Sequence, residues 1–399
     1  MRIVLASRLF APEAAVAAHR LDAIVHELAG RGHEVEVLTS RLPRSHGDDD
    51  GVLVSTPSVR VRRWPVLRDA QGSVRGYLPY LSFDVPLLLR LLSVQRPDLV
   101  LVEPPPTTGT VVRWVAALRR IPYVYLAADI LSDAAEQSGT SGWVVRIVRR
   151  LERLAVTRAA LVLSVSREFA ARLAQLGVPD ERLVVVGNGA DARVFDSEGP
   201  RAGAEHPVVL YAGTASDVHG PEVLVEAIAR VPELRLVFLG GGTRHAALRE
   251  LGQRLAPGRV DVLPTVPAVD AAAWSRGALV SVATIAPARS EHGYPFFPAK
   301  LHAAALCGTP ILHVGDGPGA AFAIEAPLGA AVAYDPEAVA DALRGMLAAP
   351  ASPAARAEFA AWARERVSLD AVAGRAADAL ERLVAGVARA PSEPEGRSS

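Results

Sequence analysis

The chain has 399 residues, and a prior of about 150 residues per domain predicts two large domains rather than one. Lys+Arg and Asp+Glu balance at 43 each, so the net charge indicates neither a nucleic-acid partner nor an acidic one. The single cysteine, Cys307, lies in an apolar run and excludes an internal disulfide and a multi-cysteine metal site.

The N-terminal residues fit a first buried strand and a turn better than a signal peptide. No apolar window approaches the roughly 20 residues that a membrane helix needs. We therefore expect a cytoplasmic protein, with peripheral contact to the inner face of a membrane as the further possibility.

Short apolar runs alternate with helical patterns along the first half of the chain. Runs without a polar alternation are typical of parallel strands covered on both faces by crossover helices. The runs are RIVLAS, HEVEVLTS, PDLVLVE, IPYVYLA, AALVLSVS and RLVVVGNG, all within residues 2–189. They predict a doubly wound α/β domain over residues 1–196.

The same alternation restarts after a polar segment rich in glycine and proline, residues 197–207, which we interpret as a linker. It predicts a second doubly wound domain over 208–368, with the strands HPVVLYAG, LRLVFLGGG, GRVDVLP, ALVSVAT and TPILHVG. A helical pattern over 369–388 is expected to fold back onto the domains, and residues 389–399 carry no apolar face and are expected to be disordered.

Three segments resemble family 4 glycosyltransferases of the GT-B fold. They are VSREFAARLAQLGVPDERLVVVGNGADARVF, VVLYAGTASDVHGPEVLVEAIARVPELRLVFLGGG and PAKLHAAALCGTPIL. The start of the chain and DILSDAAEQSG are most similar to the branch that acts on N-acetylated or deoxy sugars of surface polysaccharides. The resemblance implies two Rossmann-like domains facing each other across a cleft, with a nucleotide-sugar donor on the C-terminal domain.

The segment YAGTASDVHG is predicted to join a strand to a helix. Gly213 and Thr214 would then present free amides to a donor diphosphate. The resembling family has an arginine and a lysine in this loop, where this chain has Ser216 or Asp217 and His219. We nevertheless include His219 in the predicted donor site.

Two further loops are implied in binding the nucleotide base. Gly241, in FLGGG, belongs to a turn that approaches the base in the family, and is otherwise an ordinary glycine-rich loop. Val266, in PTVPAV, stands where the family uses backbone hydrogen bonds to the base. Such contacts tolerate substitution, so neither loop discriminates an active enzyme from an inactive one.

The segment FPAKLHAAALCGTPIL predicts a helix entered through Pro298. The amides of residues 299–302, which include Ala299 and Leu301, are expected to be unsatisfied donors, and Lys300 adds a full positive charge beside them. We predict that Lys300 stabilises the leaving diphosphate. The alternative is a solvated surface lysine.

The family's two glutamates fall at Pro295 and Ala303, so neither carboxylate is present. Loss of the glutamate that holds the ribose removes a charge-assisted contact of about 1.5–3 kcal/mol. Arg289 and Glu291 are nearby in sequence and are candidate substitutes.

The N-terminal domain offers candidates for the acceptor side. Asp129 follows the strand IPYVYLA and is either a catalytic group that orients the acceptor or a cap of the next helix. The preceding residue is Ala128, at a position where the resembling family tends to carry a basic side chain. The remaining candidates near the predicted cleft are Glu13, Arg20, Glu103 and Asn188. For Glu103, a role as a surface acid at the end of a strand fits the sequence equally well. For Asn188, a role in an ordinary turn after a strand fits equally well.

The segment GWVVRIVRRLERLAVTR, residues 142–158, predicts a basic amphipathic helix. Its apolar residues, Trp143, Val144, Ile147, Leu151 and Leu154, either pack on the sheet, which we favour, or contact an anionic membrane.

We therefore predict a retaining, metal-independent glycosyltransferase with no cofactor besides its nucleotide-sugar substrate. The acidic run HGDDDG lies in a polar loop and is interpreted as solvated rather than as a metal motif. The alternatives are an epimerase or natural-product transferase built on the same fold, and a degenerate, non-catalytic partner protein.

Overall fold

The computed structural model describes residues 1–13, 15–42, 56–69, 72, 74, 76–137, 139–203, 206–287 and 298–389. Several predictions concern residues outside these ranges: the acidic run HGDDDG, the C-terminal tail from residue 390, and Arg289, Glu291 and Pro295.

The chain forms two compact units. The first comprises Met1–Gly187 together with Val372–Ser399, and the second is Asn188–Ala371.

The first unit is built on a parallel sheet of seven strands in the order β3-β2-β1-β4-β5-β6-β7. The order reverses between β1 and β4, and in doubly wound sheets ligands bind beyond the carboxyl ends of the strands at that point. The strands are β1 (Arg2–Ala6), β2 (Glu34–Ser40), β3 (Val59–Trp64), β4 (Leu99–Val102), β5 (Tyr123–Ala127), β6 (Leu161–Ser164) and β7 (Leu183–Val185).

Two helical layers cover this sheet, because its central strands are apolar on both faces. One hydrophobic core joins the sheet to α2, α3, α5 and α6, and the other joins it to α1 and α14. The helices are α1 (Val16–Gly30), α2 (Tyr77–Ser93), α3 (Pro106–Arg119), α4 (Leu131–Gln137), α5 (Gly142–Thr157), α6 (Arg167–Gln175) and α14 (Leu369–Arg389).

The second unit repeats the plan with six parallel strands in the order β10-β9-β8-β11-β12-β13. Here the order reverses between β8 and β11. The strands are β8 (Val208–Ala212), β9 (Arg235–Leu239), β10 (Val260–Leu263), β11 (Val280–Thr284), β12 (Ile311–Val314) and β13 (Gly329–Val332).

Helices α7, α8 and α12 pack on one face of this sheet, and α9, α10, α11 and α13 cover the other. Their bounds are α7 (Glu222–Ala229), α8 (His245–Leu255), α9 (Ala268–Gly277), α10 (Lys300–Leu306), α11 (Pro318–Glu325), α12 (Pro336–Ala348) and α13 (Pro353–Val367). The prediction of a doubly wound α/β fold is confirmed in both halves of the chain.

The division between the units falls at Gly187 and Asn188, ahead of the polar segment 197–207 that the sequence favours as a linker. The physical reason is that the residues before this segment belong to the second unit. Ala190 bridges to Ser368, and Phe195 packs against the core of α10 and α13.

Two of the four edge strands, β3 and β13, were not predicted from the sequence. Strand β3 reads VRVRRW, and its arginines indicate solvent rather than a buried strand; Arg62 instead pairs with Glu36 on the neighbouring strand β2 at 3.0 Å. Strand β13 reads GAAV and lacks the large β-branched residues that signal a strand.

None of the helices in the described ranges combines the length and the apolar character needed to cross a bilayer.

Candidate functional site

The carboxyl ends of β8, β11 and β12 bring a lysine and two histidines together in the second unit. The ammonium nitrogen of Lys300, at the start of α10, lies 3.3 Å from the ring centroid of Tyr211 on β8. Its side chain also passes Gly213, where a Cβ would lie 3.1 Å from Lys300 Cε. We call Tyr211, Gly213, His219, Lys300 and His313 the lysine cluster.

The Lys300 ammonium is buried and, within the described ranges, forms neither a hydrogen bond nor an ion pair. Burial therefore lowers its pKa well below the ordinary value of 10.5. The electron-rich face of Tyr211 compensates the charge only in part. An anion placed beside Lys300 would supply the missing partner.

The positive charge of Lys300 contributes to lowering the pKa of two histidines. Burial and then this positive charge lower the pKa of His219 to about 4, and its Nδ1 lies 2.8 Å from Ser216 Oγ. Burial, and to a smaller extent the charge of Lys300, also lower the pKa of His313 to about 4. The hydrogen bond from its Nε2 to the carbonyl oxygen of Asp316, at 3.3 Å, acts in the opposite direction. Both imidazoles are thus neutral at pH 7, and each carries a single N–H. In His313 this N–H is on Nε2, because the carbonyl oxygen of Asp316 can only accept.

Two glycine-rich loops fit tightly together beside the lysine cluster. The amide of Gly213 donates to the carbonyl of Leu239 at 2.7 Å, and the amide of Ala215 donates to the carbonyl of Gly241 at 2.8 Å. Gly242 has φ +137°, and a Cβ at this position would overlap the carbonyl oxygen of Ala215. The close approach of the two backbones explains why glycine is needed there.

We expect Gly242→Ala to lower the free energy of unfolding by at least about 2 kcal/mol, because it adds both a clash and an unfavourable φ. Gly345→Ala is the matched control: Gly345 is exposed inside α12 with open space around it. This control should stabilise the protein by about 0.5–1 kcal/mol. Urea denaturation measures both; equal effects would contradict the close packing of the two loops.

Backbone amides at the start of α10 are engaged in hydrogen bonds, whereas the sequence predicted that they are free donors. The amide of Leu301 donates to the carbonyl of Pro298 at 3.0 Å, and the amide of His302 donates to the carbonyl of Ala299 at 3.1 Å. Neither amide is therefore a free donor, because the entry to the helix is a tight turn. The side chain of Leu301 is buried in the core, and Ala299 is half-buried.

The other predicted donor loops lie at the same edge of the sheet. Gly213 and Thr214 open the loop after β8, but α7 begins only at Glu222, so they do not form the helix start. Gly241 is half-buried after β9, and the half-buried Val266 follows β10. The parallel strand order thus places these residues at one edge of the sheet.

Sequence reasoning overlooked Arg244, the basic residue of the loop after β9. Its amide donates to the carbonyl of Ala215 at 3.2 Å, which ties it to the loop after β8. Its guanidinium pairs with Glu222, and with the exposed Asp217 at 3.2 Å. A position that is basic in the resembling family is thus acidic here, and Asp217 is neutralised by an arginine from another loop.

In the first unit, two candidate acceptor residues bind each other. Arg20 Nη2 lies 2.7 Å from Glu103 Oε1, and both side chains are buried. Glu103 Oε2 accepts a further hydrogen bond from Ser7 Oγ at 3.2 Å. Since Ser7 follows β1 and Glu103 follows β4, this ion pair lies where the strand order of the first sheet reverses.

Glu13 and Asp129 occupy different surroundings. Glu13 is buried and pairs with Arg68 at 2.7 Å. Asp129 is exposed at the end of β5. The first amides of α4, from Leu131 and Ser132, donate to Glu152 on α5 at 2.8 and 3.3 Å. Glu152 therefore supplies a cap that the sequence analysis assigned to Asp129 as one alternative.

Asn188 is half-buried and precedes Gly189, whose φ of +78° suits the predicted turn.

The basic helix α5 is only partly buried. Val145, Ala155 and Val156 pack into the core, whereas Trp143 and Ile147 of the predicted apolar face are exposed. Packing on the sheet thus accounts for one side of α5 and leaves those two residues without a covering element.

A further feature of the sequence supports the choice of Lys300. Lys300 is the only lysine in the chain, and all other residues in the Lys+Arg total are arginines. A guanidinium cannot lose its proton in a protein, whereas a buried ammonium can. Lysine is therefore the basic residue suited to a buried position that must be charged only when a ligand is present.

Within the described ranges, no group of three or more His, Cys, Asp or Glu side chains is arranged to hold a metal ion.

Solved structures with the same architecture establish the class of fold. A sucrose-phosphate synthase from Thermosynechococcus elongatus is 20% identical, with a TM-score of 0.71 over 97% of this chain and 100% of that chain. HepE of Anabaena, solved with UDP and glucose, is 19% identical, with a TM-score of 0.68 over 96% of this chain and 100% of that chain. Two doubly wound domains and these neighbours define a protein of the GT-B fold.

The sequence comparisons also find glycosyltransferases. Residues 17–189 match the model of the glycosyl transferase 4-like domain. The predicted resemblance to family 4 glycosyltransferases is thus confirmed, while the polysaccharide branch stays a prediction.

Curated relatives agree with this family. A D-inositol 3-phosphate glycosyltransferase of Xylanimonas cellulosilytica is 34% identical over 235 residues, which are 53% of this chain and 54% of that protein. Another, from Jonesia denitrificans, is 27% identical over 72% of each chain. The match to the first thus covers about half of that relative's length.

Proposed function

We propose that the protein is a retaining glycosyltransferase that uses a nucleotide diphosphate sugar without a metal cofactor. The observation that carries this proposal is the buried ammonium of Lys300, which has no polar partner in the described ranges and lies beside glycine-rich loops at the strand ends. The family match of residues 17–189 and the complex of HepE with UDP and glucose support a donor of this class.

The chemistry requires charge stabilisation at the leaving group. As the sugar–phosphate bond opens towards an oxocarbenium-like state, the bonding electrons pass to the diphosphate, which gains negative charge. Lys300 at the diphosphate would stabilise that charge in a site from which water is largely excluded. The neutral His219 would add a hydrogen-bond donor without a further buried charge, whereas the single N–H of His313 donates to the carbonyl of Asp316.

Asp129 remains our candidate for orienting the acceptor hydroxyl, because it is an exposed carboxylate at the strand ends of the first unit. Asn188 is retained as a further acceptor candidate. Arg20, Glu103 and Glu13 are assigned a supporting role instead, since each is buried in an ion pair. The acceptor is proposed to be a small molecule, a lipid-linked sugar or a polysaccharide.

The proposal makes donor binding pH-dependent. With its lowered pKa, Lys300 of the free protein loses its proton below the ordinary value of 10.5, and a diphosphate favours the protonated form. Binding at a pH between the lowered pKa and 10.5 should therefore take up a proton, and the affinity should rise as the pH falls within this range. Calorimetry in two buffers of different ionisation enthalpy measures this uptake.

The test of function is a calorimetric screen of UDP, GDP, dTDP and ADP and their common sugars, followed by an assay for slow donor hydrolysis. Saturable binding of one nucleotide with release of its diphosphate would support the transferase. Absence of binding across the panel would contradict it and favour the non-catalytic partner protein, while epimerised sugar nucleotide would identify an epimerase.

A further inference from the structure

One helical layer of the first unit has an unusually apolar outer surface. Helix α2 exposes a row of large side chains along its length: Leu78 is 69% exposed, Leu81 50%, Val85 66% and Leu89 68%. Their spacing of three or four residues places them on one side of the helix. The opposite side of α2 buries Phe83 and Leu87 in the core.

The neighbouring helices of the same layer continue this surface. Helix α3 exposes Trp114 and Leu118, and α5 exposes Trp143 and Ile147. The other layer of the unit differs, because α1 contributes only Val16 and the described side chains of α14 contribute no exposed large apolar residue. We call the exposed side chains of α2, α3 and α5 the apolar face.

Exposed Glu136 of the adjacent α4 pairs with Arg149 of α5 at 2.6 Å, but the exposed charges on the three helices of the apolar face are all positive. Its three helices contain only two carboxylates, Asp84 and Glu152, and both are buried. Asp84 accepts a hydrogen bond from Thr108 at 2.6 Å, and Glu152 caps α4. In contrast, Arg146 and Arg150 on α5 are exposed, and no carboxylate in the described ranges pairs with them.

We propose that the apolar face docks on the surface of a bilayer that contains anionic lipids. Leucine and tryptophan side chains would enter the boundary between head groups and acyl chains, and the arginines would contact lipid phosphates. Exposed apolar patches of this extent mark interaction sites, and the absence of exposed carboxylates on the three helices makes the face complementary to an anionic surface. The binding surface is thus larger than α5 alone.

A second copy of the chain is a poorer occupant. In a two-fold dimer the same face meets itself, and because its helices expose no carboxylate, the arginines of one copy would find no ion-pair partner on the helices of the other. A lipid surface supplies the opposite charge.

The test is sedimentation of the full chain with vesicles of phosphatidylcholine alone or mixed with about one third phosphatidylglycerol. We expect binding to the mixed vesicles, weaker binding to the neutral ones, and a decrease on addition of salt. Leu81→Glu/Leu89→Glu and Arg146→Glu/Arg150→Glu should each lower the partition coefficient by at least about tenfold.

Matched controls lie on the second unit. Ile324 is 72% exposed, Val269 is 61% exposed, and Arg364 is exposed without a partner in the described ranges. Ile324→Glu/Val269→Glu and Arg364→Glu should leave vesicle binding unchanged, and circular dichroism verifies the fold of every variant. The proposal is overturned if the wild type stays in the supernatant with mixed vesicles, or if face and control variants bind equally. Self-association that Leu89→Glu abolishes, without vesicle binding, would instead identify a second copy.

Discussion

Replacing Lys300 by methionine is expected to lower the rate of donor turnover by at least about 100-fold. Methionine fills a similar volume over Tyr211 but carries no charge to stabilise the leaving diphosphate. Nucleotide diphosphate binding should weaken at the same time, because a hydrogen bond to a charged group contributes about 1.5–3 kcal/mol. Steady-state kinetics and calorimetry measure the two effects.

The same variant should be more stable than the wild type when no ligand is present. Because folding lowers the pKa of Lys300, the unfolded chain binds more protons between the lowered value and the ordinary value of 10.5. The neutral form of Lys300 is the one that the fold accommodates, so the stability of the wild type falls as the pH falls through the lowered pKa. Lys300→Met lacks this penalty, and its melting temperature should exceed that of the wild type at pH 7.

Two controls separate charge from burial. Lys300→Arg keeps a cation that cannot lose its proton, so the empty protein should be less stable than the wild type. Arg254→Met removes an exposed charge from α8 and should change neither turnover nor stability appreciably. Unchanged turnover and binding in Lys300→Met would remove the lysine from the donor site.

Breaking the buried ion pair of the first unit should have the second large effect. Arg20→Met leaves Glu103 buried without its cation, and we expect the free energy of unfolding to fall by about 3–5 kcal/mol. Denaturant unfolding of the variant measures this loss. The double variant Arg20→Met/Glu103→Gln should recover part of it, because no isolated buried charge remains.

A surface pair provides the comparison. Arg2 lies 2.6 Å from Glu34, but their side chains are 30% and 64% exposed. Arg2→Met should therefore cost no more than about 1 kcal/mol. If Arg20→Met left stability unchanged and raised the KM for the acceptor, Arg20 would be an acceptor-binding group, as the sequence first indicated.

The central strands of both sheets could be predicted from the sequence because burial on both faces requires uninterrupted apolar runs such as LVLV and YVYLA. The edge strands β7 and β10 were predicted as well, but β3 and β13 were not, since VRVRRW at β3 is rich in arginine and GAAV at β13 carries little side-chain surface. The observed division between the units also lies ahead of the predicted linker. A polar composition indicates a loop, but it does not indicate with which unit the neighbouring residues pack.

The sequence indicates which residues of the candidate site lie at strand ends, but it does not indicate which side chains pair with each other. That Gly213 and Lys300 lie at one edge follows from the parallel strand order, which the alternating pattern indicates. The contact of Lys300 with Tyr211 depends on the relative position of separate segments, as does the pairing of Arg20 with Glu103. A pattern of residue types contains no such distances, so partners like these require coordinates.

The most direct measurement follows from the single lysine. Protein labelled with ¹⁵N only in lysine gives one side-chain signal, and its titration reports the pKa of Lys300 alone. The proposed donor site predicts a pKa well below 10.5 in the free protein, and a clear rise when the nucleotide diphosphate selected by the screen is bound. An ordinary pKa in the free protein, or the same value with and without saturating nucleotide, would contradict the role of Lys300 as the buried cation that receives the donor diphosphate.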